Sequence, residues 1–165
     1  MARVELLTQD NAPLLAQQFY EDGDPGPIAA ALAHVPELME TALPFIASVF
    51  GPTAVEPRIK EIVILRVSSA NACRYCTETH TKVARKLAFS GDELAALRGE
   101  RPSPPHWPPR ERAAQEFSEA ISSEPGGAVA ILRPHFTEPE IVELVTLAAT
   151  TVMLNRFATA LQLPV

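Results

Sequence analysis

The chain has two cysteines, Cys73 and Cys76, set as C-R-Y-C. A bridge between them closes too small a loop to constrain the unfolded chain much, so their role is reactivity rather than stapling. His80 stands four residues after Cys76, one helical turn away, so on a helix Cys73, Cys76 and His80 share a face. An imidazole in that position can take a thiol proton directly or through one water. Glu61 lies on the preceding helical stretch and would fix the imidazole tautomer if a hairpin brought the two together. Tyr75, between the cysteines, is a candidate relay, able to donate a hydrogen bond but a poor base near neutrality. The same donors could form a zinc set, but structural zinc draws on two separated ligand pairs and one is present here, so neither metal nor cofactor is expected.

These side chains need helices to hold them. Alternating strand patterns are missing, and the one Asp-Gly pair, Asp22-Gly23, lies in a turn-rich stretch and joins no two strand-like runs, while apolar residues recur at helical spacing, so the fold class is all-α. Residues 1–27 read as an irregular N-terminal arm and residues 28–165 as one domain. Helices are expected over about 28–34, from Pro36 to the Gly51-Pro52 break with a kink at Pro44, and from about Glu56 to the run Ser68-Ser69-Ala70-Asn71. The next begins at Ala72 or Cys73 and stops at Ser90-Gly91, and Asp92 then caps a short helix. Residues 101–109, rich in proline, form a loop packed by Trp107; a helix follows over about 110–121, closed by Glu124-Pro125-Gly126-Gly127.

From Thr137, the pattern T-E-P-E opens a long helix to about Leu161. Its middle is apolar on all sides, so it lies either at the centre of the domain or in a subunit contact; the homo-oligomer is the preferred reading. Because the serine run ends one helix, Cys73 falls near the first turn of the next, where free N–H groups and the dipole stabilise a thiolate. On that ground Cys73 would be the nucleophile.

The net charge of −6, without a basic cluster, disfavours nucleic acid as a partner. The charge-free runs 144–155 and 41–55 are both shorter than the roughly 20 residues that span a bilayer, so no membrane segment is expected. The first residues, MARVELLTQDNAPLL, lack the apolar core of a signal peptide, which points to a cytoplasmic location where thiols stay reduced.

The spacing of Glu61, Cys73, Cys76 and His80 resembles the alkylhydroperoxidase AhpD branch of the carboxymuconolactone decarboxylase family. Leu65-Arg66 and Asn155-Arg156-Phe157 are similar to motifs of its peroxidase-related members, extending the likeness over most of the chain from Pro36. The resemblance implies a helical bundle whose central hairpin carries the CxxC, assembly into trimers or hexamers, and reduction of hydroperoxides. It further implies that Cys76 attacks and becomes a sulfenic acid, that Cys73 condenses with it to a disulfide, and that a lipoyl- or thioredoxin-type dithiol reduces the pair. In AhpD enzymes a second histidine stands between the cysteines, where this chain has Tyr75. Alternatives are a disulfide reductase or redox sensor using the same pair, and a family member without peroxidase turnover, for which the cysteines are vestigial.

Overall fold

The computed structural model describes all 165 residues, and every regular element is helical, as the sequence pattern predicts. A 3-10 helix over Leu14–Tyr20 precedes eight α-helices: α1 Pro27–Leu32, α2 Pro36–Phe50, α3 Pro57–Ala70, α4 Arg74–Lys86, α5 Gly91–Leu97, α6 Pro109–Ser123, α7 Pro125–Leu132 and α8 Glu138–Ala160. Six of the eight carry proline in the first turn, where its missing N–H costs no hydrogen bond. Pro44 lies inside α2, which continues through it to Phe50.

Helix α3 is the axis of the bundle. Ile59 through Leu65, then Val67 and Ser68, are all buried, because α4, α5, α6 and α8 pack around it. Leu97, Phe117, Leu132, Leu144 and Leu147 close the same core, each burial contributing about 1.5–3 kcal/mol. Helix α8 has the length and mean hydropathy (1.4) of a membrane span, but half of its most apolar stretch is buried inside the protein. Its neighbours α2, α3, α4 and α7 already account for most of that apolarity, so α8 is central to the domain, and only Val142 and Met153 remain as large exposed apolar residues on it.

Three local expectations change. The arm is not irregular throughout: Ala12, Ala16 and Tyr20 pack against Ala29, Leu32 and Met39, and the Tyr20 hydroxyl donates to the Leu7 carbonyl at 2.9 Å. Ser90, not Asp92, caps α5, because its hydroxyl accepts the Glu93 N–H while the Glu93 carboxylate accepts the Ser90 N–H. Pro125-Gly126-Gly127 starts α7 instead of a loop, since Ala128 and Leu132 gain full burial there.

Trp107 packs the proline-rich loop and donates from Nε1 to Glu93 Oε1 at 2.9 Å. Arg58 joins Glu93 and Glu111 and lies 3.9 Å from the centre of the Phe89 ring, tying the starts of α3, α5 and α6 together. Lys60, 3% exposed, donates to the Val49 and Gly51 carbonyls at the end of α2 and pairs with Glu143 of α8 at 2.9 Å, so its buried charge is compensated.

Candidate active site

The α3–α4 hairpin is turned by two residues, Asn71 and Ala72. Ala72 adopts φ +52°, the Ala72 N–H donates to Ser69 O, and the Cys73 N–H donates to Ser68 O, so the last carbonyls of α3 are satisfied by a Schellman closure. This closure leaves Cys73 as both the residue after the turn and the N-cap of α4. Its sulfur accepts the Cys76 N–H at 3.4 Å, and the two sulfurs lie 2.7 Å apart.

The proton between the sulfurs belongs to Cys76, because Cys73 already receives the backbone N–H at the positive end of the helix. Donation from the Cys76 thiol is the main influence lowering the Cys73 thiol, to about 6; burial opposes it, while Cys76 N–H, Thr159 and Asn155 assist. Cys76 moves upward, held as a thiol first by giving its hydrogen bond to Cys73 and then by burial. Near neutral pH the pair therefore carries one negative charge, resting on Cys73.

The hairpin also brings Glu61 to His80. Nδ1 stands 3.0 and 3.1 Å from the two carboxylate oxygens, and an ionised carboxylate only accepts, so Nδ1 carries a proton and the neutral ring presents its lone pair on Nε2. Glu61 is 6% exposed, and the His80 ring lies 5.9 Å from the Phe50 ring, centre to centre. His80 and Cys76 line one cavity of about 280 Å³, walled by Ile28, Ile46, Phe50, Ile64 and Leu154. Tyr75 borders it; burial first, then the negative charge of the neighbouring cysteine pair, raises its phenol, which stays protonated and can donate but not act as a base. The cysteines, His80 and Glu61 do not gather into a cluster with metal-ligating geometry.

Asn155 was not among the candidate site residues, yet it reaches the site from α8. It is 1% exposed, donates from Nδ2 to Ser68 Oγ at 3.0 Å, and presents Oδ1 without any hydrogen-bond partner. It lines the cavity beside Cys76 and helps to lower Cys73. A polar signal was available: Thr151, Asn155 and Thr159 recur every four residues through a mainly apolar stretch, placing three polar side chains on the face that meets the hairpin. Arg156, next in sequence, is exposed.

The sequence profile of the carboxymuconolactone decarboxylase family matches residues 36–119, which include the whole α3–α4 hairpin. An uncharacterised protein of Bacillus subtilis, YdfG, is 28% identical over 114 residues, covering 66% of this chain and 77% of that protein. A crystal structure from Agrobacterium tumefaciens, of a protein of unknown function suggested to be the antioxidant defence protein AhpD, superposes with TM-score 0.72 at 26% identity, over 82% of this chain and 96% of its own. Two further crystal structures, of peroxidase-related proteins from Ralstonia eutropha (described as an alkylhydroperoxidase AhpD core) and Silicibacter, share the fold. They have TM-scores of 0.83 and 0.82 and identities of 19% and 20%, each covering 99% of this chain and 91% of its own.

Proposed function

Because this chain belongs to the carboxymuconolactone decarboxylase family, as an AhpD-like member, we propose that it is a cysteine-based hydroperoxide reductase. The observation that carries the reading is that Cys76 and His80 open into one apolar cavity while a second sulfur waits 2.7 Å from the first. A hydroperoxide fits such a cavity, being small and largely apolar apart from its O–O–H end.

Catalysis starts as the Cys76 sulfur attacks the terminal oxygen of ROOH and its proton passes to His80 Nε2, the nitrogen left free by Glu61. The O–O bond breaks, the alkoxide leaves with the proton from His80, and Cys76 becomes a sulfenic acid. The Cys73 thiolate then attacks the Cys76 sulfur, expelling hydroxide that solvent protonates to water, and a Cys73–Cys76 disulfide forms. A dithiol donor returns both sulfurs to the reduced state and is itself oxidised to a disulfide. Tyr75 donates a hydrogen bond to the bound peroxide rather than relaying a base's proton.

Disulfide exchange without peroxide is the second reading, favoured by the lowered, N-capped Cys73 thiol. Both readings are compatible with self-assembly through the exposed apolar face of Leu38, Phe45 and Met153 on α2 and α8. The deciding experiment follows consumption of cumene hydroperoxide with dihydrolipoamide as donor. Turnover abolished in Cys76→Ser and cut by roughly a hundredfold or more in His80→Ala supports the reductase. No turnover by wild type with either a lipoyl dithiol or thioredoxin sinks it in favour of exchange.

A further inference from the structure

The two sulfurs face different openings. Cys76, but not Cys73, lines the apolar cavity with His80. Cys73, but not Cys76, lines a separate cleft of about 360 Å³ between the start of α4 and the segment after α8, bordered by Arg74, Thr159, Gln162 and Leu163. Tyr75 is the partition, contributing to both walls. The cleft exists because α8 ends in a second Schellman closure: Gln162 adopts φ +50°, the Leu163 N–H donates to Ala158 O, and the buried Leu163 side chain folds the chain back beside Cys73.

From this division we propose that the site has separate ports, peroxide reaching Cys76 through the apolar cavity and a dithiol reductant reaching Cys73 through the polar cleft. The inference rests on the hydroperoxide reductase reading for its first port. The second concerns any reduction of the disulfide. A thiolate is an anion, costly to bring along a wall of isoleucine, leucine and phenylalanine and far less so past Arg74, Thr159 and Gln162. The occupant is a small dithiol, free or carried on a flexible arm, because a cleft of about 360 Å³ has room for a small molecule and not for a folded surface.

The steps balance and return the resting state. One donor thiolate attacks Cys73 Sγ, the S–S bond breaks, and its electron pair leaves on Cys76, which takes a proton from His80 or solvent. A donor–Cys73 mixed disulfide remains. The donor's second thiol loses its proton to solvent and attacks the donor's own bound sulfur, closing the donor disulfide and expelling Cys73 as a thiolate. In this second step Cys73 leaves readily, being stabilised by the helix N-terminus and by Thr159. In the first step the poorer leaving group, Cys76, departs, so access through the cleft and not thiol acidity directs the attack to Cys73. Attack at Cys76 would instead leave the donor inside the apolar cavity with the peroxide port blocked.

The test oxidises wild type with diamide, which needs no peroxidase activity, adds limiting 2-mercaptoethanol, quenches with acid, alkylates and maps the products by mass spectrometry. The expected result is mercaptoethanol on Cys73 and alkyl on Cys76 in about tenfold excess over the reverse. An equal mixture, or the label mainly on Cys76, overturns the proposal. A second measurement takes Gln162→Trp, which fills the cleft mouth, and follows disulfide reduction by dihydrolipoamide. About tenfold slower reduction than wild type supports the port, and an unchanged rate overturns it. Peroxide-driven disulfide formation is scored separately, so failure of the peroxidase reading is distinguishable from failure of the reductant port.

Discussion

Asn155 Nδ2 donates to Ser68 Oγ at 3.0 Å, a contact between residues far apart in sequence that locks α8 to the end of α3 directly behind the cysteine pair. It leaves Asn155 Oδ1 buried and unpartnered. Asn155→Ala should cost about 1–3 kcal/mol, read from the denaturant midpoint, because Ser68 loses its donor in a dry site. It should also raise the apparent pKa of Cys73, since the amide assists the thiolate. Lost stability with an unmoved thiol titration would reduce Asn155 to a structural strut.

Alkylation of the reduced protein by iodoacetamide should rise with pH through an apparent pKa of about 6, set by Cys73. Hydrogen bonding from Cys76 is the main cause, so Cys76→Ala should move the midpoint upward, toward the ordinary thiol value of roughly 8.5. A midpoint that stays near its wild-type value in Cys76→Ala would show that the helix terminus alone activates Cys73.

Glu61→Gln keeps the size of the side chain but permits an amide N–H to face His80, destabilising the tautomer with Nε2 free. Sulfenic acid formation in a Cys73→Ser background, trapped with dimedone, should slow by about 10–100-fold. Equal rates with and without the carboxylate would remove His80 from the proton path.

Glu140 accepts from the Thr137 N–H at 2.7 Å and from Arg110 at 2.8 Å, and the Arg110 hydrogen bond is the largest influence holding its carboxyl near 2. A depressed folded-state pKa gives stability that is fully present above the unfolded value of about 4.3 and lost as pH falls from there toward 2. Glu140→Gln should therefore lower the melting temperature at pH 7, and the gap from wild type should close as pH approaches 2. A constant gap across that range would contradict the ion-pair account.

Leu38 and Met153 flank an apolar groove of about 150 Å³ between α2 and α8, with Phe45 exposed about two helical turns further along α2. If this face is the self-association surface, Leu38→Glu with Phe45→Glu should convert the assembly to monomers by light scattering. A monomeric wild type would end that idea.

Helix positions were legible where the cause was local. Prolines 36 and 139 announce N-termini through chemistry that needs no partner, and Thr137 opens α8 as its spacing to Glu140 predicts. The exceptions were decided at a distance. Pro125-Gly126-Gly127 breaks a helix by propensity, yet burial of Ala128 and Leu132 outweighs it. Asp92 and Ser90 are both competent caps, and Ser90 prevails because Glu93 must also meet Trp107 and Arg58.

The same division runs through the site. The sequence by itself determined that Cys73, Cys76 and His80 occupy one edge of one helix, because a separation of three or four residues on a helix is a neighbour contact whatever surrounds it. Only the tertiary structure decided that Glu61 meets His80, that Asn155 reaches the cysteines, and that each sulfur faces its own opening. Those relations depend on how α3, α4 and α8 cross, which is set by side-chain packing over the whole core and not by the spacing of any one segment.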